Sequence, residues 1–320
     1  MASSAPRSIP PPDGSDSAPA IRLESTSRWY GNVVAVNDIS FEVGPGITGL
    51  LGPNGAGKST ILHMVAGFLK PSNGTVDVLG GPAWRNPEMY RHVGLVPERE
   101  AVYPFLTGYE FVLLNARLHR LADPHEAAMR AIRAVDMEDT RHRATGGYSK
   151  GMKQRVKFAA ALVHDPPILL LDEPFAGTDP RQRLQMIDLL REMAAEGRTI
   201  VFSSHILEEV ERLADSVLVI VAGRLAASGN FHEIRRLMTD RPHTFTLRSG
   251  DNRRLASALV ADPTVLGVEL ADERLSVRAS DFGGFALAAP RVARDSGVTL
   301  FEFLPSDESL ESVFSYLVKR

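Results

Sequence analysis

Gly52-Pro53-Asn54-Gly55-Ala56-Gly57-Lys58-Ser59 sets small, flexible backbone beside one cation and one hydroxyl, in the order G-x-x-x-x-G-K-[ST]. That order can cradle phosphate. Glycines let successive backbone N–H groups turn inward on a β-phosphate, and a helix that follows directly points its positive end at the same charge. Lys58 is then placed to reach the β- and γ-phosphates and Thr60 to serve the α-phosphate. Ser59 is placed to put its hydroxyl on Mg²⁺, an ion that takes a few protein oxygens together with phosphate oxygens and water. Taken alone, the octet implies binding of a nucleoside triphosphate and leaves kinases, GTPases and motor ATPases open.

Such a loop needs a strand before it and a helix after it, and both are legible: apolar Ile47 to Leu51 precedes and helix-like Thr60 to Leu69 follows. Upstream, Val33 to Val36 and Ile39 to Val43 read as strands. From Pro104 to Gly147 the period becomes helical, with Phe111, Leu114, Leu118 and then Ala128, Ile132, Val135, which predicts an inserted helical subdomain over about 100–165. Strand-like Ile168 to Leu171, Thr199 to Phe202 and Val217 to Val221 then alternate with helices Arg181 to Ala195 and Leu207 to Leu213, the rhythm of a parallel α/β sheet. After about Arg241 the order becomes βαββαβ over 243–303, which predicts a small ferredoxin-like α+β domain. A last helix follows, capped by Ser306 and striped by Leu310, Val313, Phe314 and Leu317. The expected organisation is a disordered tail over 1–20, an α/β nucleotide-binding domain over 21–240 and a C-terminal domain over 241–320.

Further motifs narrow the class. Tyr148-Ser149-Lys150-Gly151-Met152-Lys153-Gln154-Arg155 resembles the signature of ABC ATPases, and apolar Ile168 to Leu171 runs into Asp172-Glu173 as it does in that family. Gly177-Thr178-Asp179-Pro180 resembles the family's D-loop, His205 its switch histidine and Tyr30 the aromatic that stacks on adenine, so the resemblance covers roughly Ile21 to Leu237. It implies that Asp172 holds Mg²⁺ while Glu173 orients or deprotonates the attacking water. Ser149 can cap the helix over Met152 to Val163, whose free N–H groups carry positive charge. By the resemblance that end, with Lys150, Gly151 and Met152, faces ATP bound to a second motor subunit. His205 would hydrogen-bond the γ-phosphate and Asp179 would signal between the two sites. One copy of each motif implies a dimer, here expected to be of identical chains. The resemblance further implies separate membrane permease subunits as partners and a peripheral place on the cytoplasmic face of the inner membrane.

The chain departs from the common pattern in informative places. Glu98 stands where the family's glutamine senses Mg²⁺ and links to the transport subunits, and an ionised glutamate accepts but cannot donate. Lys150 and Met152 replace the usual Gly and Gln of the signature. Pro97-Glu98, the signature as it stands and the ending Glu308-Ser309-Leu310-Glu311-Ser312-Val313-Phe314 together resemble motor subunits of bacterial type-2 ABC exporters, which implies export of a cargo that these residues leave open.

Composition agrees and excludes alternatives. The 320 residues are 44% apolar, enough for about two domains, and 36 basic against 39 acidic side chains give no field that would draw nucleic acid. There are no cysteines, so disulfides and thiolate chemistry are excluded. No apolar run approaches the ~20 residues that cross a bilayer, and Met1 to Ala20 lacks the apolar stretch of a secretory signal. An ATP-gated clamp on ribosomes or DNA would bring a second motor half, long coiled coils or basic arms, and a small-molecule kinase would leave the signature and His205 without a role.

Overall fold

A six-stranded sheet carries the site. In the computed structural model, which describes residues 19–99, 101–230, 243–271 and 273–305, its strands are β3 (Gly46–Leu51), β6 (Val93–Val96), β7 (Ile168–Asp172), β8 (Thr199–Ser204), β9 (Ser216–Val221) and β10 (Arg224–Gly229). Their spatial order is β10-β9-β3-β8-β7-β6, parallel throughout except for the antiparallel edge strand β10. Every residue of β7 and β8 is buried, as a parallel sheet covered on both faces requires.

Register is what matters for chemistry. Leu51 pairs with Ser204, Asp172 with Ser203 and Val96 with Leu171, so the C-terminal ends of β3, β8, β7 and β6 lie along one edge. The loops that leave them carry the 52–57 turn, His205, Glu173 and Glu98. A crevice beyond the carboxyl ends of parallel strands is where α/β sheets bind ligands.

A second, antiparallel sheet of order β2-β1-β4-β5 comprises β1 (Ile21–Tyr30), β2 (Val33–Val43), β4 (Asn73–Val78) and the short β5 (Gly81–Pro82). The two segments expected over 33–43 form the single strand β2, because Asp38 takes φ 51° and is absorbed as an irregularity between Thr26↔Ile39 and Arg28↔Val36. Helix α1 (Lys58–Val65) is packed between the sheets: Ile61, Leu62 and Val65 share one core with Val36 and Val76 of the antiparallel sheet and with Leu50, Leu170 and Val201 of the parallel one. It is shorter than the expected 60–69, since the chain turns at Ala66 and Gly67.

Helices α2 (Gly108–Leu118), α3 (Pro124–Ala134) and α4 (Lys150–Leu162) pack against one another between β6 and β7. Thr107 and Glu110 form a reciprocal capping box at the start of α2, and Asp123 caps α3. Helices α5 (Pro180–Ala195) and α6 (Leu207–Leu213) connect β7 to β8 and β8 to β9. No helix of the described residues is long and apolar enough to cross a membrane.

The chain divides into two compact units, Met1–Asn230 and Phe231–Arg320. The second has the order β11 (His243–Ser249), α7 (Asn252–Leu259), β12 (Val265–Ala271), β13 (Arg274–Ala279), α8 (Phe282–Asp295), β14 (Leu300–Pro305). Its antiparallel strands lie in the order β12-β13-β11-β14, a split βαβ arrangement. Leu255, Leu259, Phe285 and Ala289 of the helices bury one face of the sheet over Phe245, Leu247, Leu275 and Val277. The expected helix after Ser306 and residues 1–18 of the expected tail lie outside the described residues.

Leu170, wholly buried at the centre of β7, tests the parallel core. Leu170→Ala is expected to cost about 2–5 kcal/mol, read as a lower urea midpoint with an unchanged slope.

Candidate phosphate and hydrolysis site

Gly57 ends the loop after β3 with φ 105°, and a Cβ there would stand 2.4 Å from the carbonyl oxygen of Ala35. Only glycine can take that backbone at that approach. The loop delivers Lys58 as the first residue of α1, where its side chain is buried. Lys58 Nζ donates to the carbonyl of Gly52 at 2.7 Å and of Pro53 at 3.3 Å, and lies 3.6 Å from Glu173 Oε1. The ammonium thus occupies the mouth of its own loop.

Asn54, Gly55, Ala56, Gly57, Lys58, Ser59 and Thr60 line a cleft of about 350 Å³, closed from other sides by Ala35, Glu98, Glu173, Ala176 and His205. Ala35 and Ala176 carry no chemistry in sequence and were not anticipated. These residues are drawn from separate segments between Ala35 and His205, and strand register brings the ends of β3, β6, β7 and β8 together.

Asp172 and Glu173 divide their surroundings. Asp172 ends β7 almost fully buried, and its Oδ1 accepts from Ser203 Oγ at 2.6 Å. The same hydroxyl accepts from the backbone N–H of Glu173 at 2.9 Å. Glu173 itself sits at φ 48°, a left-handed conformation costing a non-glycine residue about 1–2 kcal/mol, which turns its carboxylate away from the sheet and into the cleft. Its Oε2 lies 3.0 Å from His205 Nδ1, a contact that calls for the proton on Nδ1, whereas Oε1 is buried without a hydrogen bond. A buried carboxylate oxygen without a donor, in a cleft that also holds a cation, suits a site whose remaining partner is a bound molecule.

A polar chain behind His205 had no signal in the sequence. Ser204 Oγ accepts from the N–H of Ile206 at 2.9 Å and donates to Glu209 Oε2 at 2.6 Å, while Glu209 Oε1 lies 3.6 Å from Arg183 of α5. Glu209 is buried, and burial pushes its carboxyl up from the ordinary value, opposed by the Ser204 hydrogen bond and Arg183 and reinforced by Glu173.

The signature residues lie apart from the cleft lining. Ser149 caps α4, its Oγ accepting from the N–H of Met152 at 3.2 Å, so that α4 begins at Lys150 rather than Met152. Gly151 lies so close to α5 that a Cβ would meet Gln182 Oε1 at 2.1 Å, and Gln182 N donates to Asp179 Oδ1 at 2.9 Å. Lys150, Gly151 and Asp179 therefore share one corner. Tyr30 ends β1, half exposed and outside the cleft lining, with the Arg28 guanidinium 4.8 Å from its ring centroid.

Comparison with known proteins decides the family. A family profile described as ABC transporter matches residues 36–176. An uncharacterised ABC transporter ATP-binding protein of Bacillus subtilis, YxlF, is 31% identical over 307 residues, covering 93% of this chain and 99% of that protein. The chain belongs to the ATP-binding subunits of ABC transporters. Another relative of this ABC ATPase is the Nod factor export ATP-binding protein I of Rhizobium leguminosarum bv. viciae, 35% identical over 268 residues, which are 82% of this chain and 85% of that one. A solved structure of an ATP-binding subunit of an ABC transporter, 32% identical, superposes with a TM-score of 0.63 over 68% of this chain and 92% of its own.

The raised Glu209 carboxyl gives the ABC ATPase a testable pH signature. The folded protein holds that proton more tightly than the unfolded chain, so this contribution to stability is full below the ordinary carboxylate range and is lost as pH rises through the raised value. Glu209→Gln cannot ionise and is expected to flatten that part of the stability curve, measured by urea unfolding between about pH 4 and 7.

Proposed function

We propose that this ABC ATPase powers export of a cargo through separate membrane permease subunits, working as a dimer of identical chains on the cytoplasmic face of the membrane. The arrangement of Lys58, Glu173 and His205 around one cleft is the observation that carries its hydrolytic part. Export is supported by the Nod factor export relative and by the way the chain departs from the common pattern at Glu98, Lys150 and Met152.

In this reading Gly52 to Thr60 hold the triphosphate. Lys58 exchanges the carbonyls of Gly52 and Pro53 for β- and γ-phosphate oxygens, trading neutral acceptors for charged ones. Glu173 orients the attacking water and accepts its proton. His205, already against Glu173 Oε2, keeps that carboxylate aimed and meets the γ-phosphate. Mg²⁺, when bound, supplies positive charge to the leaving phosphate oxygens, and Ser59, Asp172 and Glu98 are the residues that would hold it. Of these, Ser59 and Glu98 face the cleft, whereas Asp172 stands behind it on Ser203. Tyr30 stacks on adenine.

The start of α4, with Ser149, Lys150, Gly151 and Met152, presents the positive end of a 13-residue helix to the nucleotide of the second subunit. Asp179, next to that corner through Gln182, relays between the two sites. Closure of the dimer on ATP then pulls on the permease, and hydrolysis releases it.

Glu173→Gln is expected to bind ATP with near-normal affinity and to lose about 10²–10⁴-fold in turnover, accumulating an ATP-dependent dimer visible by sedimentation. Normal turnover would remove Glu173 from the mechanism. Lys58→Ala is expected to weaken ATP binding by about 1.5–3 kcal/mol, roughly 10–100-fold in Kd by titration. Purification of the tagged chain in detergent should bring down a polytopic membrane protein, and its absence would count against the transport reading.

A further inference from the structure

Helix α4 carries a lysine where its surroundings favour none. Val156, Phe158, Ala159 and Ala160 are buried around Lys157, which is itself only 5% exposed. Burying an ammonium costs several kcal/mol unless its donors are used, and an alanine or leucine would fill that helix face without such a cost.

One short segment supplies three carbonyl partners. Lys157 Nζ donates to the carbonyl of Pro97 at 2.6 Å and of Arg99 at 3.0 Å, with that of Glu98 at 3.5 Å. These residues follow β6, whose ladder with β7 ends at Val96↔Leu171. Sheet pairing therefore stops one residue before the segment, and a cation reached by three consecutive carbonyls takes over the task of shaping it. Glu98 is in the middle of that segment and is one of the residues lining the phosphate cleft with Lys58 and Ser59.

The other end of α4 is the signature. Lys157 lies seven residues beyond Lys150, two turns or about 10 Å along the same face. Helix α4 is rigid over that distance, so the place where it starts and the place where Lys157 grips the Glu98 segment move together.

We propose that Lys157 is a positioning residue that holds Glu98 in the chain's own nucleotide site and ties it to the signature the chain offers to its partner's site. The inference rests on the dimeric reading given above and adds the link between the two sites within one subunit. Glu98 keeps its aim only while α4 sits in place, and a shift of α4 against the partner's nucleotide is passed to Glu98 through one ammonium.

The test uses the full-length chain. Lys157→Met keeps length and apolar stem but removes the ammonium, and Lys157→Arg keeps the cation and donors. In Lys157→Met, kcat is expected to fall about tenfold and ATP-dependent dimerisation in the Glu173→Gln background to weaken by a similar factor, while the Kd for ADP stays within about twofold. Lys157→Arg should recover most of the lost kcat. Glu98→Gln should change kcat by clearly less in the Lys157→Met protein than in the wild type, because both act through one segment. Wild-type kcat and dimerisation in Lys157→Met, additive effects of the two substitutions, or loss of ADP affinity in step with kcat would each overturn the proposal. Should Lys157→Met fail to fold, Lys157→Gln, which keeps a donor but removes the charge, takes its place in the cycle with Glu98→Gln, and strict additivity there overturns the proposal. A Glu173→Gln parent that stays monomeric with ATP would instead strike the dimeric reading itself, and the link with it.

Discussion

Lys58 and Glu173 can both be buried at the end of the sheet only because each offsets the other's charge. The pair stands 3.6 Å apart with both side chains about nine-tenths covered, and either one alone would carry an uncompensated charge out of water. Much of the local architecture serves this juxtaposition. Gly57 lets the chain turn under Ala35 so that Lys58 enters the helix facing inward. The left-handed turn at Glu173 swings its carboxylate out of line with Asp172, and the Ser203 hydroxyl holds that turn by accepting from Glu173 N and donating to Asp172. Geometry at Oε1, too long for a hydrogen bond to Lys58 and without another donor, leaves acceptor capacity that a bound water can use.

The same economy of contacts extends outward. His205 leans on Glu173, and the loop bearing His205 is closed by Ser204, Glu209 and Arg183, the last of which belongs to the helix that Asp179 caps. On the other side, Lys157 joins the segment of Glu98 to the helix that Ser149 caps. Two buried polar links thus run from the cleft toward the corner shared by Lys150, Gly151 and Asp179.

Much of this was legible in the residues. The phosphate loop could be read because its chemistry demands particular residue types at fixed spacing, and the strand before it and helix after it leave periodic apolar patterns. The βαββαβ order of the second unit was legible for the same reason, since its elements are short, regular and separated by turn residues. Boundaries were less so. Asn37-Asp38 resembles a turn yet lies inside β2, because Asp38 tolerates a left-handed backbone and the flanking residues gain sheet partners on both sides. The start of α4 was placed two residues late, since Ser149 closes its cap onto Met152 and so includes Lys150 and Gly151 in the first turn.

Residue identity by itself determined which groups can do phosphate chemistry: glycines that permit a tight turn, a lysine, hydroxyls and adjacent carboxylates, all recognisable because each function needs that side chain and no other. Tertiary structure alone decided which of them meet. Strand order β3-β8-β7-β6 is not chain order, and only parallel pairing sets Ser204 beside Leu51 and Ser203 beside Asp172. The supporting side chains Ser203, Glu209, Arg183 and Lys157 belong to types found at many solvent-facing positions, so nothing in their spacing marks them. Their roles arise from burial, where a polar group must find a partner, and burial is a property of the folded chain.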